Sequence, residues 1–577
     1  VSYYKKDRIP PTDRKHFCGI NFSEDDFLDK NLATSRGTSS VGENLRTLRI
    51  AVATTGEYTN YHGSATDALA AVVTTINRVN LIYEIDLSVR FLIVADNDLI
   101  IFTDATTDPY NNNSAGNMLN TNTAVLNANI GNGNYDIGHV FATEGAGLAG
   151  LGVVCSGDKG EGVTGIDPPE GTTFDVDYVS HEIGHQLSAF HTFNNCNGPG
   201  GTPTGYEPGS GSTIMAYAGL CGASNVQFSS GDYFHGVSLD QMNNYLNTQG
   251  GCFEEIPTNN LPPSVTTRVG DFFIPILTPF ELTAQATDPD GDELTYCWEQ
   301  FNAGPVSTLG EPTGNAPSFR SFSPTEDSTR VFPKIANVIN NVTSPLEVLP
   351  SYTRGFSFNV VVRDNNPGGG GSASTNLVFQ ASQAAGPFSV TSPNAPGIQW
   401  EGNQQVEITW DVANTDQSPV NCSHVDIMLY AGTEFSFHSI LALNTPNDGS
   451  EFITVPDETL VFARIKIKAH DNIFFNVSNN HFLILEDPAS TTEIGDSRQL
   501  SVFPNPANEE LYLNLQNGEG IDEIFLFNAL GQKLHHQRLT SSLGLQSINT
   551  QAFSDGVYLL RVQAGNKFYT KKVVLKH

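Results

Sequence analysis

The chain has 577 residues and a formal net charge of −33, from 29 Lys and Arg against 62 Asp and Glu. That excess of acid argues against nucleic acid and against an anionic membrane surface as partners. No apolar run of about 18 residues occurs, so no membrane span is expected, and the length calls for about three to five domains.

Residues 1–46 are polar and irregular, and their opening VSYYKKDRIPP lacks the apolar stretch of a signal peptide. They read as a linker or the remnant of a pro-segment, any signal having already been removed. Residues 47–54 alternate as a strand, and 64–82 have helical apolar spacing with Ser64 as N-cap. Residues 86–95 and 135–144 read as further strands, and GLAGLGVVC, 147–155, as a Gly-rich fourth.

The next stretch carries the chemistry. Residues 181–191 read HEIGHQLSAFH. On a helix His181 and His185 lie one turn apart on one face, with Glu182 beside them. Two such imidazoles can bind one zinc, and Glu182 can serve as base toward a metal-bound water. A continuous helix would carry His191 away, so the chain must turn about three residues after His185 to return it as third ligand. Three protein ligands and one water complete a catalytic zinc site. The spacing resembles the metzincin peptidases, HExxHxxGxxH, at every position but one. Ser188 stands where that family has Gly at the bend. A left-handed residue is expected there, at a cost of about 1 kcal/mol for serine.

Downstream, STIMAY at 212–217 resembles the metzincin Met-turn. The resemblance places Met215 beneath the zinc. It gives Tyr217 the part of the tyrosine that astacin-like and serralysin-like branches hold near the metal, where it stabilises the tetrahedral intermediate. A core methionine and a half-buried tyrosine on a strand are the plain alternative. Residues 236–249 read as the closing helix.

Seven cysteines, at 18, 155, 196, 221, 252, 297 and 422, form no CxxC, which excludes a zinc ribbon or a thioredoxin motif. Resemblance to reprolysin-like metzincins implies Cys155–Cys252 and Cys196–Cys221 disulfides and an oxidising compartment; buried free thiols are the alternative. That leaves Cys18, in HFCGI. Some metzincin pro-segments place one thiolate on the zinc in a motif where Gly follows Cys. Cys18-Gly19 resembles it, so Cys18 is a candidate latency ligand, against pairing elsewhere or simple burial. In the same family the strand before the zinc helix is an edge that pairs with substrate, and residues near Leu151 to Val154 are the candidates.

PTNNLPPS, near residue 255, reads as a linker. Residues 262–382 resemble cadherin-like or polycystic-kidney-type immunoglobulin folds. Asp288, Asp290, Asp292 and Asp364 could hold calcium there, or could simply shape an acidic turn. Residues 386–486 read as a second immunoglobulin-like sandwich and 487–497 as a polar linker. In 498–577 four pieces come in order: Pro504-Asn505-Pro506, Asn528 to Gly531, Gly556-Val557-Tyr558, and a basic last strand with Lys571 and Lys572. They resemble the C-terminal sorting domain of the type IX secretion system of Bacteroidetes; an ordinary adhesion domain is the alternative.

The expected protein is thus multidomain, an α/β (α+β) metzincin catalytic domain at 47–255 followed by three all-β sandwich domains. The resemblances imply a zinc endopeptidase acting on proteins or peptides, secreted or held at the cell surface through the type IX machinery, and a monomer. Two rivals stand beside it. One is an adhesin with a vestigial peptidase, against which the intact Glu182 speaks. The other is a zinc hydrolase of a non-protein polymer, against which the Met-turn speaks.

Overall fold

Leu48, Ala51, Val52 and Ala53 are fully buried along one strand, so both of its faces are covered. Such continuous burial belongs to the middle of a mostly parallel sheet. In a computed structural model of the chain, which describes residues 18–21, 40–196, 204–487, 493–494, 497–528 and 531–577, this strand is the hub of the N-terminal domain. Most of residues 1–46 and of the 487–497 linker, and Ala529 and Leu530 of the sorting-like motif, lie outside the described residues.

The elements in order are β1 (Cys18–Asn21), β2 (Asn44–Thr54), α1 (Gly56–His62), α2 (Ala65–Leu87), β3 (Val89–Ile93), α3 (Ala115–Asn129), β4 (Ile137–Ala142), β5 (Ala146–Gly150) and β6 (Gly162–Gly165). Then come α4 (His181–Gln186), α5 (Gly236–Thr248) and β7 (Glu254–Pro257). Among the described residues the sheet runs β1–β5–β6–β4–β2–β3, with β7 also on β2. Strands β6, β4, β2 and β3 are parallel; β5 runs antiparallel to β6. On one face, α2 and α4 bury Val72, Ile76, Tyr83 and Ile183 against Leu48, Ile50 and Val52. On the other, α3 buries Met118, Leu119 and Leu126 against Ala51, Ala53 and Val140.

Ser64 caps α2 as expected, its hydroxyl accepting from Asp67 N at 3.1 Å. The helix runs on to Leu87, and Ser88, at φ 52°, ends it, so the strand expected at 86–95 is confined to Val89–Ile93. Two helices were not expected, α1 and α3. The Asn-rich α3 has weak helix propensity, and what holds it is the buried face just described. The expected strand 147–155 is also shorter. From Gly152 the chain turns under the active helix, where Gly152 N donates to His185 O (2.9 Å) and Val153 N to Gln186 O (3.0 Å). Leu151 to Val154 therefore cap a helix, and the strand beside the histidines is β5, whose outer side carries β1, a correction to the expected pairing segment.

The rest of the chain is three β-sandwiches. In the first, strands Phe273–Pro275, Ser372–Ser382, Arg354–Arg363 and Thr295–Gln300 face strands Thr329–Phe332, Phe280–Thr287 and Ser264–Thr267. Phe280, Phe332, Phe358 and Phe379 fill the space between, with Phe332 and Phe358 centroids 4.8 Å apart. Contact clustering yields two compact units, one running to Ile398 and including 407–453 and 462–482, the other made of 399–406, 454–461 and 483–577. Within the first unit, His424–Ala431 pairs with Ser436–Pro446 and with residues 464–469 in the second sandwich. Within the other, the last sandwich buries Leu511, Leu513, Leu526, Leu560 and Val573.

Candidate active site

The chain enters the site through wide π-type helical turns, Thr173–Ser180, that pass directly into α4. His181, Glu182 and His185 are all buried on α4. The helix stops at Gln186, and Ser188 adopts φ 77°, the left-handed bend expected where the metzincin pattern has Gly. That bend returns His191. The Nε2 atoms of His181 and His191 lie 3.0 and 3.1 Å from Nε2 of His185. Among the described residues these three are the group of His, Cys, Asp or Glu whose ligand atoms all fall within 4.8 Å of one another.

Their protonation follows from their partners. His181 Nδ1 lies 2.7 Å from Ile214 O, and His185 Nδ1 2.7 Å from Ala189 O. A carbonyl can only accept, so each Nδ1 carries the proton and each Nε2 presents a lone pair. Burial pushes the His181 pKa down to about 4 and drives His185 and His191 well below their ordinary value, so the rings are neutral. Converging neutral lone pairs repel one another unless a cation lies among them. Neutral nitrogen donors, two of them held by a second hydrogen bond at Nδ1, suit zinc.

Strand β5 closes one side. A Cβ built on Gly147 would lie 2.1 Å from Glu182 Oε1, so the edge strand passes directly over the carboxylate. Beneath α4, a Cβ on Gly184 would meet Met215 Sδ at 2.4 Å; the methionine is fully buried against the helix. Tyr217 packs its ring 4.5 Å from those of His191 and Phe193. Beside His181 a cleft is lined by Asp177, Tyr178, Ala216, Tyr217 and Ser230. Two disulfides tie the surroundings, Cys155–Cys252 and Cys196–Cys221. Cys297 and Cys422 are buried free thiols.

The site also contains residues that sequence reasoning passed over. Gly147 and Gly184 were legible only as generic small residues. Glu207 was not singled out, because nothing in its local sequence marks a buried acid.

The remaining expected residues lie elsewhere. Strand β1 pairs with β5 in parallel, Cys18 opposite Gly147, while the Cys18 side chain is outside the described residues. The four aspartates are in the first sandwich and act as turn acceptors. Asp288 Oδ1 accepts from the amides of Asp290 and Asp292, and Asp290 Oδ2 from Leu261 N. Asp292 Oδ2 accepts from Asn366 Nδ2. Asp364 accepts from the amides of Asn366 and Gly371 and from Asn260 Nδ2. Asp288 Oδ2 is buried without a hydrogen-bond partner. Among the described residues the four aspartates do not form a converging group of ligand atoms, so the calcium expectation gains no support.

Comparison with known proteins agrees with this site. Residues 44–246 match the family described as metallo-peptidase family M12B, reprolysin-like, and 501–576 match the secretion system C-terminal sorting domain. No curated protein matches the chain. Similar solved structures include the FN1–FN3 domains of chicken CNTN1, at 13% identity over 55% of this chain and 99% of that one, TM-score 0.16. The fibronectin(III)-like modules of Clostridium thermocellum CbhA match at 10% identity over 39% and 94%, TM-score 0.15. The N-terminal four Ig domains of Dscam1 isoform 4.44 match at 9% over 54% and 75%, TM-score 0.16. At such TM-scores these likenesses carry no argument. The two family matches do: the chain carries a reprolysin-like M12B metallopeptidase domain and a type IX secretion C-terminal sorting domain, and is a metallopeptidase exported across the outer membrane.

Proposed function

We propose that this metallopeptidase is a zinc endopeptidase of the metzincin type, with His181, His185 and His191 as ligands and Glu182 as proton carrier. The convergence of three neutral Nε2 atoms beside a buried glutamate carries the proposal. Zinc, when bound there, supplies Lewis acidity that activates a water and polarises a carbonyl. Glu182 takes the proton of the attacking water and returns it to the leaving amine nitrogen. The phenol of Tyr217, its ring edge-on to His191, donates to the developing oxyanion. Strand β5 pairs with the substrate main chain, which selects an extended backbone and needs no free terminus. That suits cleavage within proteins. No observation favours an adhesin or a polymer hydrolase, and calcium stays outside the proposal because its four aspartates form no converging group among the described residues.

Latency belongs to the same proposal. Strand β1 already occupies the β5 edge, with Cys18 opposite the glycine that covers Glu182. The N-terminal segment then competes with substrate for main-chain pairing, and Cys18, in its Cys-Gly pair, is the candidate for the fourth ligand place.

The central test is Glu182→Ala. It is expected to keep zinc and the fold yet lose casein hydrolysis by about 10²-fold or more. A zinc-replete variant cleaving at near wild-type rate overturns the role of Glu182.

A further inference from the structure

His181 and His185 are placed by a helix, whereas His191 is not. It stands in an irregular stretch beyond α4, so its position depends on tertiary bonds. One of these runs from Thr204 Oγ1 to His191 O, at 2.7 Å. The others gather on the residue after it. Thr192 N donates to Met215 O at 3.1 Å, and Thr192 O accepts from Glu207 N at 2.9 Å. Thr192 Oγ1 donates to Glu207 Oε1 at 2.7 Å.

Glu207 is almost fully buried, at 1% exposure. Its Oε1 also accepts from Thr213 Oγ1 at 2.5 Å, and its Oε2 from Ser212 N and Oγ at 2.7 and 2.8 Å. A buried carboxylate costs several kcal/mol unless donors surround it, and here they come from two separate segments. One segment carries His191. The other, Ser212 and Thr213, leads directly into Ile214, whose carbonyl holds His181 Nδ1, and into Met215 beneath α4. Packing around it is close: a Cβ on Gly211 would meet Glu207 Oε1 at 3.0 Å.

We propose that Glu207 is a positioning residue of the metal centre: its carboxylate staples the third-ligand loop to the turn that orients His181. Neither histidine touches it, so it acts through Thr192 on one side and Ser212 and Thr213 on the other. The inference rests on the zinc reading of the three histidines.

The test uses the full chain and zinc alone as probe. Glu207→Gln keeps the size but turns an amide NH₂ toward donors. Chelator competition should then show zinc affinity about 10- to 100-fold weaker, the range usual for residues that orient ligands. The zinc-free fold, followed by circular dichroism, should be unchanged. At saturating zinc, kcat should fall with KM little altered. Thr192→Val removes a single donor at nearly constant shape and decides the matter if Glu207→Gln does not fold; several-fold weaker zinc binding is expected. Zinc affinity within twofold of wild type in a correctly folded Thr192→Val, or in a folded Glu207→Gln, overturns the proposal and leaves Glu207 a packing residue. If the wild-type chain itself takes up no zinc, the zinc reading fails, a result separable from the other two.

Discussion

Gly147 has no room for a side chain, and the atom in its way is the far end of Glu182. In Gly147→Ala the flexible carboxylate swings aside, which costs folding little. It costs catalysis much, because misplacing a catalytic group by about 1 Å loses about 10²-fold in rate. Purified Gly147→Ala should therefore hold zinc and melt near wild type while kcat drops by about that factor; retained kcat would show that the carboxylate is not held by the strand. His139 makes a different point. It lies beneath α4, its ring nitrogens 3.0 Å from Gln186 Oε1 and Thr164 Oγ1, and burial pushes its pKa from 6.5 down to about 4. Between those values the unfolded chain binds the proton and the folded chain does not, so acidification through that window removes stability. The loss from this one residue is about 3 kcal/mol at most. His139→Gln should flatten the fall of melting temperature from pH 6.5 to 4 relative to wild type; parallel curves would exclude His139 as the source. Ser188, by contrast, was legible beforehand. Its left-handed φ follows from the need to bring His191 back, whatever residue occupies the bend.

The elements divide by what each depends on. The segment proposed to hold zinc was readable because its three histidines and its glutamate fall within 181–191, a local pattern that needs no tertiary context. Strands β2, β3 and β4 and helix α2 were readable from alternation, apolar spacing and a serine cap, whereas the short β6, Gly162–Gly165, was not. The helix α3 was not, since its stability comes from burial against β4 and neighbouring strands and not from its asparagines. Nor could sequence divide Gly147–Cys155 into an edge strand and a cap, because both halves are small and apolar and only the hydrogen bonds to His185 and Gln186 separate them. The edge strand carries the prediction at this scale. With β1 on it, substrate must displace a strand before it can bind. A chain beginning at Ser40 should cleave a quenched peptide several-fold faster than the full chain, mainly through lower KM, and a synthetic peptide of residues 14–25 added in trans should inhibit it. Equal KM for the two chains would remove the N-terminal strand from regulation. Cys18→Ser separates the two parts of the latency proposal: a rise in activity assigns the thiol, and no rise leaves strand pairing alone.

At the scale of the molecule, the first sandwich is built into the peptidase. Asp86, at the end of α2, lies 2.6 Å from Arg363 Nε, both side chains almost wholly buried, and its other oxygen accepts from Phe234 N at 2.7 Å. Glu299 of the sandwich accepts from Gly236 N at 2.7 Å, at the start of α5, where a helix favours negative charge. Ser321 of the sandwich donates to Glu299 and accepts from Tyr233, which lies on the chain between the Met215 turn and α5. Sequence marked a linker near residue 255 and so suggested separable domains. It could not reveal that Arg363, far along the chain, completes the charge of Asp86. Removing one member of a buried pair typically costs about 3–5 kcal/mol, because the other charge stays buried. Arg363→Met should lower the urea midpoint of the peptidase and the sandwich together, seen as simultaneous loss of peptide hydrolysis and of sandwich fluorescence from Trp298. Asp86→Asn in the same chain should recover part of that loss, since the asparagine oxygen still accepts from Phe234 N and no charge is stranded. If Arg363→Met melts the sandwich alone while hydrolysis persists to the wild-type midpoint, the two domains fold independently and the pair only docks them.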